Sequence, residues 1–366
     1  MAQARADYVL LSYFGVWLLF GLLVLSSAGV AVGLDVFQDP YFFIRRQLLY
    51  GVLPGLVLFW LCARIPYTTW QKYASMIFVG SLLLLTMVWI PGIGTSFDKH
   101  AQSWLVFGGF SFQPAEVAKL ALIIFLSFYL TRKGSGIASW EAGFVPTLVV
   151  AGVPVLLILL QPDLGTSLIF LGIIASMLYV AGARLAHLGG LMAVGVVGVL
   201  LMAFVSPYRF DRLMTFMHPE LDPLGIGYQI NQGFLAIGSG GWLGLGLGHS
   251  RQKFQYLPEV QADSIFAVAA EELGFVVVAG LIVLLVLIFR RGLQVARVAP
   301  DQFARLVAVG IVSWFMIQAF LNIGAMVGLL PLTGVPLPFI SHGGSALLIA
   351  LAAVGILTNI SKYRSE

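Results

Sequence analysis

Ten long apolar stretches, nearly free of charge, constrain this 366-residue chain more than any other feature. They cover roughly residues 8–32, 47–63, 73–90, 115–131, 142–160, 166–183, 187–206, 264–289, 306–330 and 343–359. A helix rises about 1.5 Å per residue and a bilayer's hydrocarbon is about 30 Å thick, so each stretch is long enough to span. Charged residues make up only 10% of the chain and hydrophobic ones 60%. A soluble domain carries about 25% charged residues. The expected fold is therefore all-α and polytopic, about ten transmembrane helices in one membrane domain over 1–366.

The basic residues set an orientation. With the N-terminus inside, the inner segments hold 12 of the 20 Lys and Arg, the longer outer segments hold 7, and Lys119 lies within a helix. That bias puts both termini in the cytoplasm. The net charge of +4 thus reports membrane topology, and no nucleic-acid partner is expected. The first apolar stretch is too long for a signal-peptide core and has Arg5 as its only basic flank, so it reads as a retained helix. Cys62, the single cysteine, excludes an intrachain disulfide and reads as packing.

Most connections are short, but Ser206–Asp263, between helices 7 and 8, runs for about 58 residues. A structureless loop of that length is improbable, so this outer segment should be structured. Ile226, Ile230, Phe234 and Ile237 recur at helical spacing and predict a short amphipathic helix on, or dipping into, the outer face. Six glycines follow within 238–248, permitting tight turns and close backbone approach. A Rossmann reading of Gly244-Leu-Gly246-Leu-Gly248 fails for want of a βαβ context. A phosphate cradle of backbone amides remains open there. The outward connection at 91–114 ends in Gln113-Pro114, with Pro114 suited to a first helical turn and Glu116 to the positive end of its dipole.

Charge at a spanning helix centre costs roughly 2.5–3.5 kcal/mol, so intramembrane charges need a reason. Glu116 and Lys119, three apart on one helix, are within ion-pair reach. They either lock two helices together or line a polar cavity. Asp163 either caps its helix or joins such a cavity. Glu271 and Glu272 point about 100° apart, so at least one should pair with a group elsewhere. Asp263 stands where the long loop meets the eighth span, four residues after Glu259. A carboxylate between water and apolar walls suits a general base with a raised pKa. A helix cap is the bland alternative. The five histidines show no metal-ligand spacing.

Several runs then carry a resemblance. Gly248 through Gly274, including Tyr256-Leu-Pro-Glu259 and Asp263, resembles the signature of the SEDS peptidoglycan polymerases. So do Tyr228-Gln229 with Ala236–Gly241, Gly328–Ser345, and Phe112-Gln-Pro-Ala-Glu116 with Lys119. The matches keep the family's order over nearly the whole chain. Ser250–Phe254 before Tyr256 is similar to FtsW and its sporulation relative more than to RodA. Six positions depart from the family pattern: Gln261, Ala262 and Ser264 around the aspartate, His342 in place of a tyrosine, Ala115 before Glu116, and Ser103 before Trp104.

What the resemblance implies is a glycosyltransferase that polymerises lipid II on the outer face of the bacterial cytoplasmic membrane. Asp263 would be the general base and undecaprenyl pyrophosphate the leaving group. Division is the implied process, with elongation the alternative. A flippase for the lipid-linked precursor and a non-catalytic division scaffold are the rival readings. Substrate contacts are expected from Glu116, Lys119, Asp163, Trp104, Glu259, Ser341 and Ser345. The pyrophosphate needs positive charge or a bound divalent cation such as Mg2+. Arg45, Arg46, Arg209, Arg212, Arg251, Lys253 and Lys119 form the pool of cations. The implied partners are a class B penicillin-binding protein, other division proteins and membrane lipid.

Overall fold

The computed structural model describes residues 5–95, 102–107, 110–205, 207–218, 225–254 and 256–363. Its helices are α1 (Tyr8–Phe37), α2 (Phe42–Arg46), α3 (Leu53–Arg64), α4 (Tyr67–Thr86), α5 (Pro114–Lys133), α6 (Val145–Leu160) and α7 (Leu164–Val180). They continue with α8 (Leu185–Val205), α9 (Pro207–Met217), α10 (Ile226–Gly240), α11 (Ile265–Arg297), α12 (Gln302–Met326) and α13 (Gly344–Ser361). A π-helical stretch, Gln47–Val52, joins α2 to α3 as one span.

Among the described residues, eight helices are long and apolar enough to cross a membrane. The expected sixth and seventh spans are represented by shorter apolar helices, Leu164–Val180 and Leu185–Gly195. The most enclosed spans are α12 and α13, with 78% and 83% of their most apolar windows buried. These two form the centre; α3, α5, α7 and α11 pack around them, and α1 packs on α11.

The all-α expectation needs one amendment. The outward 91–114 connection carries a three-stranded antiparallel sheet, ordered β1 (Gly94–Thr95), β2 (Trp104–Phe107), β3 (Phe110–Phe112). Thr95 pairs with Trp104, and Leu105 with Phe112. The sheet leads directly into Pro114 at the start of α5.

The long loop is built as expected in one respect, since α10 is the amphipathic helix over Ile226–Gly240. It does not lie flat. Gln229 meets Ser264 at the start of α11, and Gly240 abuts Ala270 and Glu271 further along. So α10 runs beside α11 from its first turn inward.

At Gly274 (φ 76°, ψ 175°) α11 breaks. The bonds that Phe275 and Val276 would make to Glu271 and Glu272 are replaced one by one. Leu245 and Gly246 donate to the Glu271 and Glu272 carbonyls at 3.0 and 2.9 Å. Phe275 and Val276 donate instead to Gly241 and Trp242 at 2.9 and 3.2 Å. The glycine run therefore splices a broken helix, as membrane depth requires. Its contacts explain the glycines: a Cβ on Gly244 would meet the Glu272 carbonyl oxygen at 2.2 Å, and one on Gly274 would meet the Gly244 nitrogen at 2.2 Å.

Candidate active site

Asp263 lies just ahead of α11, and its backbone is gripped on three consecutive carbonyls. His342 N–H donates to Gln261 O at 2.8 Å, Ser341 Oγ to Ala262 O at 2.6 Å, and Asn322 Nδ2 to Asp263 O at 2.8 Å. The carboxylate itself is loosely held. Gln229 Nε2 and Ser264 Oγ each approach its Oδ1 at 3.4 Å. The capping position of α11 belongs to Ser264, and no side chain caps it. The cap reading of Asp263 is thereby removed. Burial pushes its carboxyl up to about 6, the Glu259 carboxylate adds to the rise, and the Arg212 guanidinium opposes it.

A second polar centre lies on the same side of α12. Lys119 bridges Glu116 Oε1 and Gln318 Oε1, both at 2.9 Å, with its ammonium 4.8 Å from the Trp314 ring centre. All of these groups are buried. Gln318 also accepts from Trp314 Nε1 at 2.7 Å and donates to Pro336 O at 2.9 Å. One turn on, Asn322 donates to Val335 O and to Asp263 O. Trp314, Gln318 and Asn322 recur every four residues, so one face of α12 runs from the ion pair to the aspartate's backbone. Glu116, Gln318, Ser341 and His342 line a small inner cavity of about 20 Å³, room for roughly one water.

Asp163 does cap α7, accepting from Thr166 N–H at 2.9 Å. Burial raises its pKa, while the Thr166 hydrogen bonds and the charges of Lys119 and Arg212 pull it down. Arg212, on α9, therefore acts on both Asp163 and Asp263, and its Nη1 donates to Leu332 O at 3.3 Å. Among the described side chains of the expected cations, it is the one whose charge acts on both carboxylates.

The other expected residues fall elsewhere. Arg46 stacks on Phe42 and Tyr50, 5.1 and 5.7 Å from their ring centres, and lines an outer cavity of about 570 Å³ with Thr95, Val106 and Ser111. Trp104 sits on β2 beside that cavity's strand. Arg45 pairs with Asp39 at the surface. Glu259 is exposed with a left-handed backbone (φ 51°), and it accepts from Gln261 Nε2 at 3.2 Å. Arg209 lies on α9, with its side chain outside the described residues. Arg251 is exposed, its backbone N–H donating to Glu271.

Three expectations are corrected. Lys253 is no surface cation: it is buried and bound to Glu272 at 2.7 Å, to Ser27 Oγ at 2.9 Å and to Gly248 O at 2.8 Å. The Ser341 hydroxyl is engaged between Ala262 O and Leu337 N, and Ser345 Oγ accepts from Gln113 N, so both serines position backbone. The amides of Leu245 and Gly246 are committed to α11 and cannot cradle a phosphate. Glu271 and Glu272 both hold the Ser250–Lys253 segment, with Glu271 accepting from Ser250 Oγ and the amides of Arg251 and Gln252. Among the described residues no group of three or more His, Cys, Asp or Glu could hold a metal ion.

Against known proteins, residues 8–366 match the cell cycle protein family of FtsW, RodA and SpoVE. The chain belongs to this family. It is 42% identical to stage V sporulation protein E of Bacillus subtilis over 94% of each chain. It is 39% identical to a probable peptidoglycan glycosyltransferase FtsW of Geobacter metallireducens, over 98% of this chain and 95% of that one. The FtsW/RodA/SpoVE fold is also seen in solved structures. A chain of a peptidoglycan synthase complex that coordinates polymerization and crosslinking superposes with TM-score 0.79 at 28% identity, over 97% of each chain. The rod shape determining protein RodA of Thermus thermophilus gives 0.71 at 26% identity, over 98% of each chain. This family member is thus an integral membrane protein.

Sequence reasoning met Gln229 only as part of the Tyr228-Gln229 match and missed Gln318 and Asn322. A signal for the last two was present, since amides four apart in an otherwise apolar helix are as costly as charges unless partnered.

Proposed function

We propose that this protein is a peptidoglycan glycosyltransferase that polymerises lipid II at the outer face of the cytoplasmic membrane, with both termini in the cytoplasm. The observation that carries the reading is Asp263, a non-capping, partly buried carboxylate whose pKa of about 6 leaves it ionised at neutral pH yet basic enough to accept a proton. In the reaction, the acceptor sugar's hydroxyl oxygen forms a bond to the donor's anomeric carbon and its proton passes to Asp263. The anomeric C–O bond to pyrophosphate breaks, the electron pair leaves on undecaprenyl pyrophosphate, and configuration inverts.

Developing negative charge on the leaving group is met by cations of the chain. Arg212 acts electrostatically on both Asp163 and Asp263, and Lys119 is held by Glu116 and Gln318. A divalent cation would add to them by travelling with the pyrophosphate, since the described side chains build no cage of their own. The relation to a synthase complex chain that coordinates polymerization and crosslinking supports a class B penicillin-binding protein as partner.

The deciding experiment incubates purified protein and its partner with lipid II, comparing wild type with Asp263→Ala. Glycan strands from wild type alone are expected. Equal strands from both would remove Asp263 as the base, and none under any condition would remove the polymerase reading.

A further inference from the structure

The first turn of α11 leaves unmade a bond that its sequence offers. Ser264 stands at the capping position, where a serine hydroxyl ordinarily accepts from a backbone amide of the first turn. Here it does not, and no side chain caps α11. The residue is fully buried, so its hydroxyl must find partners within the protein. It has two: Oγ accepts from Gln229 Nε2 at 3.0 Å and donates to Asp263 Oδ1 at 3.4 Å. Gln229 Nε2 also reaches that same carboxylate oxygen at 3.4 Å. An amide nitrogen carries two N–H bonds, and a hydroxyl one donor and two lone pairs, so the three contacts are compatible with one another.

The two carboxylate oxygens are thereby made unlike. Ser264 and Gln229 both converge on Oδ1, while among the described residues no other residue donates to Oδ2. The main chain of Asp263 is fastened through the carbonyls of Gln261, Ala262 and Asp263 itself, which leaves its side-chain torsions as the remaining freedom. A hold on Oδ1 then decides where Oδ2 points. Ser264 is also one of the positions at which this chain departs from the family pattern.

We propose that Ser264 and Gln229 are positioning residues that hold Oδ1 of Asp263 and leave Oδ2 as the oxygen that takes the acceptor's proton. The inference rests on Asp263 being the base in the function proposed above. Contacts of 3.4 Å are long for hydrogen bonds, and length suits the task. A tight clamp would favour the ionised form strongly and strip the carboxylate of basicity, whereas a long one orients it at little loss. Burial and the Glu259 carboxylate push this carboxyl up, and Arg212 on α9 and the Gln229 amide pull it down. Of the other elements around it, α12 presents the uncharged Asn322. The turn before α13 presents His342, which burial and Arg46 push down to about 4, so it is neutral in the range tested.

Losing hydrogen bonds to the charged form raises a carboxyl's pKa, and for bonds this long the rise is about half a pH unit. The test uses the full chain in lipid nanodiscs. Infrared titration of the carboxyl band, with each spectrum referenced to the same chain carrying Asp263→Ala, isolates this one group. The variants are Ser264→Ala, which removes no cap, Gln229→Leu and Gln229→Glu, and unfolding midpoints confirm that each is folded. Expected is a rise of about half a unit from the wild-type value of about 6 in Ser264→Ala and in Gln229→Leu. The double variant should rise by less than the sum, because the contacts share one oxygen. Gln229→Glu, which places a like charge there, should rise further.

Glycan synthesis from lipid II with the partner supplies the second readout. Each single variant should fall about twofold more at pH 6 than at pH 8, following its displaced titration. At pH 8, where the carboxylate is ionised in all of them, kcat should fall about tenfold with KM unmoved, as lost orientation requires. A titration unmoved in every variant, or a wild-type kcat at pH 8, overturns the inference and leaves the Asp263→Ala comparison untouched. A titration that moves while the acid limb stays in place removes Asp263 as the base, and the hold on Oδ1 stands.

Discussion

Replacing Asp263 with alanine should make the protein more stable while abolishing glycan synthesis. The carboxyl's rise from 3.8 to about 6 means that the folded state resists its ionisation. Roughly two pK units at about 1.36 kcal/mol each give an upper bound of about 3 kcal/mol against folding at neutral pH. Water reaching a partly exposed carboxylate trims this to about 1–2 kcal/mol. The sign is fixed by linkage: a carboxylate whose folded pKa is raised loses stability as pH climbs from about 4 through 6, then stays destabilising above. Asp263→Ala should therefore raise the apparent unfolding midpoint at pH 7.5 by roughly 2–5 °C, read by tryptophan fluorescence in nanodiscs. At pH 4.5, with the wild-type carboxyl protonated, the difference should largely vanish. A helix cap behaves oppositely, since its loss costs about 0.5–2 kcal/mol. A midpoint that falls at pH 7.5 would refute the reasoning.

Glycan synthesis by wild type should show an acid limb near pH 6; Glu259→Gln should move it down and Arg212→Gln up, as the signs of their charges on Asp263 require. Gly274→Ala and Gly244→Ala should abolish folded, monodisperse protein on size-exclusion chromatography, because each Cβ would lie 2.2 Å from backbone. Gly280→Ala, with nothing within 4 Å of the added carbon, should be tolerated. Lys253→Met should destabilise by about 3–5 kcal/mol by leaving Glu272 buried and unpaired, and adding Glu272→Gln should recover most of it in thermal unfolding.

The spans were legible because lipid-facing composition is a local property, as was the Glu116–Lys119 pair, set by helical spacing alone. The amphipathic period of Ile226–Ile237 likewise announced α10. The direction of α10 was hidden, because it depends on the Gln229–Ser264 side-chain bond and on the backbone bonds that tie 241–246 to α11, all more than 25 residues away in sequence. Lys253 misled for a related reason. A lysine in a polar, glycine-rich segment reads as solvated until Ser27, 226 residues away, and Glu272 are seen around it. The strands at 94–112 are too short to show a periodicity among glycines and aromatics. At Asp263 the residues alone left cap and base open, and the capping position at Ser264 removes the first reading.

The three carbonyl ties ahead of α11 have a consequence for processivity. Gln261, Ala262 and Asp263 are each fastened to a different group of the protein's central helices and turn. The aspartate can swing about its side-chain torsions, but its main chain has no independent travel. A carboxylate mounted in this way cannot follow a growing polymer. With Asp263 as the base proposed above, the strand would have to advance by one repeat past a stationary carboxylate after each bond, so step length would be a property of the sugar chain and its exit path rather than of any stroke by the loop.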